Sequence, residues 1–302
     1  LLYLSHRKNG FTTKGEMIKM KKRRRKTSYY IKQAAVYAVI ILLALVCVIP
    51  LYWMVRSSFM KNTDIYSMRP FVFWPKEMLW SNYTDALKAA DFGRYAINTI
   101  TIVAGCLIGT LLTSSMAAYA FSRIKWKGQG FCFALVLSTM MLPGSVTLIP
   151  QFMIWRNFHM IDTYWPLILP SFFGGGAFNI FLLRQFFLGI PKDLDEAARI
   201  DGAGPLQIFF RIIMPLAKSA LVVVALFTFL GNWNDFFGPI IYLNTKTKFT
   251  LAVGLLQFRG DYSTKWNLLM AASTIVVAPC VGVFLVGQKH LIEGISLTGM
   301  KA

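Results

Sequence analysis

Five runs of this chain carry no charged side chain over 21 residues or more: Gln33 to Val55, Tyr95 to Ser122, Gly128 to Trp155, Thr163 to Leu183 and Trp266 to Gln288. A sixth, Ser219 to Thr245, is interrupted only by Asp235. A helix of about 20 apolar residues, rising 1.5 Å per residue, crosses a hydrocarbon core about 30 Å thick. Lipid offers no partner for backbone N–H and C=O groups, so runs of this kind must satisfy them internally as helices. The spacing therefore predicts an all-α integral membrane protein with six transmembrane helices over 33–288, flanked by a basic tail (1–32) and a short tail (289–302). No soluble domain of useful size is left over.

The 302 residues are 56% hydrophobic and 15% charged, against roughly 25% charged in soluble domains. The net charge of +19 points away from nucleic acid once its distribution is read. Residues 1–32 hold 11 of the 32 lysines and arginines, including the run Lys21 to Lys26, so the basicity is a tail rather than a binding face. Cys47, Cys106, Cys132 and Cys280 stand singly within apolar runs and form neither a disulfide framework nor a metal motif. His6, His159 and His290 are too far apart for metal-ligand spacing.

At the start, "KGEM" (Lys14 to Met17) is compatible with the codons AAA GGA GAA ATG, a purine-rich string like a ribosome-binding site. Translation is expected to begin at Met17 or Met20, leaving 1–16 untranslated. The basic stretch ahead of Ala34 to Val55 has the n-region and h-region of a signal peptide. The apolar run is too long, however, and lacks a small-residue cleavage site, so it reads as a retained span.

Pro143-Gly144, Pro150, Gly174 to Gly176 and Pro279 interrupt the spans and require neighbouring helices to satisfy the freed backbone groups. The small residues Ala104, Gly105, Gly109, Ser114, Ser115, Ala117 and Ala118 of the second span suit close helix approach. Lysine and arginine near span ends set orientation. The N-terminal tail and "SRIKWKG" (Ser122 to Gly128) are basic, which places both termini in the cytoplasm. The loops Arg56 to Arg94, Arg156 to Asp162 and Lys246 to Lys265 then face outward. The first mixes six basic with four acidic residues, and Pro70, Trp74 and Pro75 give it turns and aromatic anchors.

On this topology the largest cytoplasmic loop runs from Arg184 to Lys218 and contains "EAARIDGAGPLQIFFRIIMPL" (Glu196 to Leu216). Pro191 opens a first helix, Lys192 to Asp201, that Gly202 closes; Pro205 opens a second that Pro215 ends. Leu194, Ala197, Ala198 and Ile200 give the first helix a small apolar surface, and its four acids face two bases. A net acidic helix is a poor fit for an anionic lipid surface and suits docking to a protein, with small side chains that let a partner come close.

These residues carry a resemblance. Glu196, Ala197, Ala198, Gly202, Ile212 and Pro215 match the EAA motif of bacterial ABC importer permease subunits; Met214 stands where the motif has Leu. "GNWNDFFGPIIYL" (Gly231 to Leu243), "LAVGLLQF", "WNLLMAAS" and "QKHLIEGISLTGMKA" resemble the maltose-type, carbohydrate-importing branch. The resemblance implies a type I ABC importer permease fold in the bacterial cytoplasmic membrane. It also implies a coupling loop (184–218) that docks on the ATPase through Leu194, Glu196, Ala197, Ala198, Asp201, Gly202, Ile212 and Pro215. The partners implied are a second permease subunit, two ATPase subunits and an extracytoplasmic solute-binding protein. There is no phosphate-binding G-x-x-x-x-G-K-[ST] loop, so the chain is not an enzyme and holds no cofactor of its own; ATP and Mg belong to the ATPase subunits.

Polar groups within spans are costly and mark pathways or helix contacts. Asn232, Trp233, Asn234 and Asp235 combine ring faces and amides suited to a sugar, and the competing reading is that Asn232 and Asn234 join helices, with Asp235 at the outer interface. Asn179 is a weaker candidate, as are Asn98, Ser138, Thr139, Ser273 and Thr274. Import of a non-sugar solute is the alternative within the superfamily. A self-sufficient secondary transporter would need a coupling acid in the membrane, for which Asp235 alone is available.

Overall fold

The computed structural model describes the backbone of residues 6–66, 73–259 and 264–299, and the side chains of 29–66, 73–259 and 264–291. The outer-loop Pro70 lies outside the described residues, as do the side chains of most of the basic tail. The chain divides into two compact units, Leu1–Arg56 and Ser57–Ala302.

The first unit is essentially α1 (His6–Ser58), in which tail and first span form one continuous helix. Its span, Tyr29–Ser58, buries nothing in its most apolar window. A helix apolar on all sides has lipid or another subunit as its solvent.

The second unit holds the other five apolar runs. Its helices are α2 (Ser81–Ala89), α3 (Phe92–Arg123), α4 (Gln129–Ser138), α5 (Gly144–Asn157), α6 (Trp165–Ile168) and α7 (Ala177–Gly189). There follow α8 (Asp193–Ile200), α9 (Pro205–Ile208), α10 (Met214–Leu216), α11 (Lys218–Trp233), α12 (Phe237–Tyr242), α13 (Leu251–Gly254) and α14 (Trp266–Gly299). Among the described residues there is no strand, only an isolated bridge between Arg259 and Thr264.

The organising element is α3. At its first turns Phe92, Tyr95 and Val103 enter a core with Trp233 of α11 and Leu268, Ala271 and Val276 of α14. At its far end Ala118 and Tyr119 enter a second core with α7, α8, α9 and the start of α11. The small residues expected to permit close approach do so in part. A Cβ on Gly105 would lie 2.8 Å from Ile168, and one on Gly109 would lie 2.7 Å from Phe172. Ser114, Ser115 and Ala118 are buried, whereas Ala104 is exposed.

Three spans depart from single straight helices. The third divides into α4 and α5, which meet at 101°. Leu142, forced out of the helical region by Pro143 behind it, is extended at φ −80°, ψ 119°. The fourth breaks at Gly174, Gly175 and Gly176, all with positive φ, and α7 then runs to Gly189 rather than stopping at Leu183. Arg184 is accommodated within it because its Nε donates to the Phe121 carbonyl at 3.0 Å and its guanidinium lies over the Phe133 ring. The fifth span ends at Trp233, and Asp235 caps the short α12 by accepting from the Gly238 N–H at 3.1 Å. The stretch expected to be an outer loop, 246–265, is partly core: Leu251, Val253 and Phe258 are buried.

At the end of the unit where α3 begins, Asp162 ties two connections together. Its φ is +59°, a conformation aspartate tolerates better than most residues. Its carboxylate accepts from the Asn244 and Thr245 amides at 2.9 and 3.0 Å, from Thr245 Oγ1 at 2.6 Å and from Lys248 Nζ at 2.9 Å. Burial pushes this carboxyl up, but the hydrogen bonds from Thr245, Lys248 and Asn244 outweigh it and hold the group well below the ordinary carboxylate range.

A depressed folded-state pKa gives stability that is present above the unfolded value and lost as pH falls through the folded one. The latch is therefore expected to persist through pH 4, where ordinary carboxylates protonate. Asp162→Asn keeps the backbone preference and removes the charge, and is expected to cost about 1–3 kcal/mol. Thermal unfolding at pH 7 and pH 4 checks this: a midpoint unchanged by the substitution at both pH values would be the contrary result.

Candidate functional site: the loop end of the bundle

The segment after α7 folds as two pieces across the end of the bundle. Asp193, Asp195 and Glu196 occupy the first turn of α8, where the helix dipole favours negative charge. Gly202, at φ +83°, terminates it. The Gly202 N–H donates to the Arg199 carbonyl at 3.0 Å and the Ala203 N–H to the Ala198 carbonyl at 2.9 Å, the paired bonds of a Schellman turn. Pro205 then opens the second piece, with the Gln207 side chain accepting from the Gly204 N–H at 3.0 Å.

The second piece does not stop at Pro215. Phe209–Ile213 forms a π-helical turn and α10 carries the helix through Pro215 to Leu216. Proline lacks an N–H and crowds the carbonyl four residues back; a wider turn just before it relieves that conflict. The bend comes instead at Ala217, fully buried, with 80° between the segments Pro205–Leu216 and Lys218–Trp233.

Helical periodicity sorts the loop residues into two faces. Ala198 is buried at 9% exposure in the core with Ile208, Phe209 and Ile213, so it secures α8 to its own bundle and does not face outward with Ala197. Ile212 is half-buried against that same core. The outward face holds Leu194, Ala197, Asp201 and Gly202 from the expected set, together with Ile200 at 86% exposure, whereas Glu196 is exposed on the flank shared with Lys192 and Arg199. Pro215 is exposed on the second piece. Leu206 and Phe210, which the motif does not single out, are also exposed at 63% and 52%.

One anchor was not legible in the motif. Arg123, the last residue of α3, is 1% exposed at its side chain and pairs with Asp195 at 3.4 Å. Its other Nη donates to the carbonyls of Phe187 and Ile190. One guanidinium thus joins the end of α3, the end of α7 and the first turn of α8. The sequence signal was available: an arginine closing a charge-free run, with acids in the next loop on the same side of the membrane.

The expected pathway group lies at the other end of α11. Trp233 is 6% exposed, donates from Nε1 to the Val276 carbonyl at 3.0 Å and stacks on Phe229. It joins α11 to α14 and does not line an open path. Asn232 and Asn234 donate to the carbonyls of Thr228 and Leu230 on their own helix. Asn179 donates to the Gly175 carbonyl at 2.6 Å, bracing the glycine break, and Asn98 bonds the carbonyls of Thr247 and Phe249. Of the two residues expected to join helices, Asn234 also reaches Cys280 Sγ of α14 at 3.9 Å while Asn232 stays on its own helix; Trp233 and Asn98 make links between segments, and Asp235 is engaged as a cap. Among the described residues no group of three His, Cys, Asp or Glu side chains could hold a metal ion.

A helical membrane unit with a structured polar loop between two of its spans is built as a transport permease is. The chain belongs to the binding-protein-dependent transport system inner membrane component family, whose model matches residues 109–296. It is 32% identical over 263 residues to the arabinooligosaccharides transport system permease protein AraQ of Halalkalibacterium halodurans, covering 86% of this chain and 93% of that one. It is 32% identical over 276 residues to the galactooligosaccharides transport system permease protein GanQ of Bacillus subtilis, covering 90% and 96%. The fold matches a chain in the crystal structure of a bacterial ABC transporter involved in the import of the acidic polysaccharide alginate. The TM-score is 0.76 and the identity 26%, over 85% of this chain and 95% of that one. The protein is thus a multi-pass inner-membrane permease of the ABC importer type.

Proposed function

We propose that this permease carries an oligosaccharide released by an extracytoplasmic binding protein, as one of two permease subunits driven by a pair of ATPase subunits. The single observation that carries the coupling half of this reading is the construction of α8. It is a short acidic helix with an outward apolar stripe at Leu194, Ala197 and Ile200, pinned to its own bundle by Ala198 and the Arg123–Asp195 pair. A helix held this rigidly transmits a push on its outer face to the ends of α3 and α7. ATP binding closes the ATPase pair, the docked helix moves, and the two permease halves rock around the path between them.

Orientation follows from the coupling role: the α8 end is cytoplasmic and the Asp162 end faces outward, as the lysine and arginine distribution implies. Lipid and the second permease cover the exposed apolar side chains of α4 and α5, such as Phe131, Leu135 and Ile149. The oligosaccharide assignment rests on the relatives AraQ and GanQ. Use of Asp235 as a helix cap weighs against a self-sufficient secondary transporter, since the one acid that such a mechanism would need in that span has a structural role.

The test is to purify the full chain alone and in complex with the subunits it recovers from its native membrane. The isolated chain is expected to hydrolyse no ATP. The complex in proteoliposomes is expected to hydrolyse ATP several-fold faster when its binding protein is loaded with an oligosaccharide. Hydrolysis by the isolated chain, or a complex that responds to amino acids or peptides and to no carbohydrate, would overturn the reading.

A further inference from the structure

A cavity of about 440 Å³ near Asp162 and an apolar groove between α11 and α14 offer only carbon and a single paired charge. The cavity beside the coupling loop differs in kind. It encloses about 600 Å³ between the end of α3, the last turns of α7 and the inner side of α8. Five basic side chains line it, Arg123, Lys125, Arg184, Lys192 and Arg199, against two carboxylates, Asp195 and Glu196.

The pairing inside it is uneven. Arg123 and Asp195 neutralise each other. Among the described residues the remaining ion pairs are Arg94–Asp91 and Lys248–Asp162, so Lys125, Arg184, Lys192 and Arg199 each lack a carboxylate within 4 Å. Arg123 Nε is, in addition, a buried donor with no acceptor in the protein. Outside that pair four cations face one carboxylate, Glu196, so the wall keeps a net positive charge that an anion between the cations offsets. Two of the four are guanidiniums, whose planar fork fits phosphate oxygens.

The walls identify the anion's source. Phe121 and Leu188 line the same cavity, and each lies in the last turns of a membrane-length segment, Phe92–Arg123 and Trp165–Gly189. The apolar wall thus begins where two spans leave the hydrocarbon, and the basic wall continues beyond it. Trp126, 40% exposed just past α3, suits the same interfacial depth. A free phosphate ion would use the cations and waste the apolar wall, whereas a glycerophospholipid uses both. We infer that this cavity binds the phosphate headgroup of an anionic glycerophospholipid, with its glycerol and upper acyl carbons against Phe121 and Leu188. Lys192 and Arg199 belong to the loop helix and Lys125 to the turn after α3, so bound lipid also bridges the coupling loop to the bundle.

The experiment uses the intact complex in phosphatidylcholine nanodiscs titrated with phosphatidylglycerol, with lipid retention read by native mass spectrometry. Lys125→Gln combined with Lys192→Gln alters two exposed side chains and is expected to weaken phosphatidylglycerol retention about 25-fold, taking about fivefold per lysine. Lys125→Arg is expected to retain the lipid, as is Lys127→Gln, whose exposed lysine lies outside the cavity wall. A second arm adds millimolar inorganic phosphate to the complex in phosphatidylcholine alone. No retained phosphatidylglycerol in the unaltered complex, equal retention in the double variant, or capture of free phosphate at the same lysines in preference to lipid would each overturn the inference. Because retention is read on the complex without transport, failure here is distinguishable from failure of the oligosaccharide assignment.

Discussion

Ala197→Asp is expected to leave the permease folded and inserted while detaching it from its ATPase subunits. Ala197 lies on the exposed face of α8, so a carboxylate there is hydrated in the isolated chain and costs the fold little. In a closely packed docking contact the same carboxylate is buried without a partner, a penalty of several kcal/mol. About 3 kcal/mol is more than a 100-fold loss of association, and uptake should fall to about a hundredth. Ala198→Asp, one residue on, should behave differently: Ala198 is in the bundle's own core, so the substitution is expected to lower the amount of folded protein in the membrane.

Gly202→Pro supplies a third arm. Proline holds φ near −65°, the turn requires +83°, and the Gly202 N–H that donates to Arg199 would be lost. The spans are untouched, so insertion should persist while α8 loses its fixed direction. Co-purification of the ATPase, solute uptake and membrane level would be measured for all three variants. Normal association and uptake in both Ala197→Asp and Gly202→Pro would remove the coupling assignment.

The largest stability effect is expected at Gly175. Its φ is +60°, and a Cβ there would sit 2.6 Å from Thr110 Cγ2 and 2.7 Å from Thr110 Cα on α3. An L-residue in the left-handed region costs about 1–2 kcal/mol, and forcing a methyl into a packed contact adds about 1–3 kcal/mol. The backbone of α3 cannot yield without disturbing both cores it organises. Gly175→Ala is therefore expected to destabilise by about 2–5 kcal/mol, read as a lower thermal midpoint and reduced membrane level. Gly93→Ala is the control, since nothing lies within 4 Å of a Cβ there. Equal behaviour of the two variants would show that the approach of the Gly175 turn to α3 is not limiting.

Much of this was legible in the residues because its causes are local. Runs without charge specify membrane helices whatever they pack against, and the spacing of Glu196, Ala197, Ala198 and Gly202 specifies a short helix with a glycine stop. The family was reached differently, through the resemblance of Glu196, Ala197, Ala198, Gly202, Ile212 and Pro215 to the EAA motif, and the family match confirms it. Boundaries set by a neighbour were less accessible. The end of α7 moves from Leu183 to Gly189 because Arg184 finds Phe121 and Phe133, neither adjacent in sequence.

The sequence by itself determined the solvent, the positions of the apolar runs and the presence of a short helix with a glycine stop between two of them, since periodicity and composition act within one segment. Only the tertiary structure decided which side of that helix faces outward, and it separated Ala198 from Ala197. It likewise turned Trp233 from a sugar-facing ring into a link between α11 and α14. An indole has the same chemistry in either role. What selects between them is whether a carbonyl such as that of Val276, 43 residues along the chain, folds back within reach of the ring nitrogen.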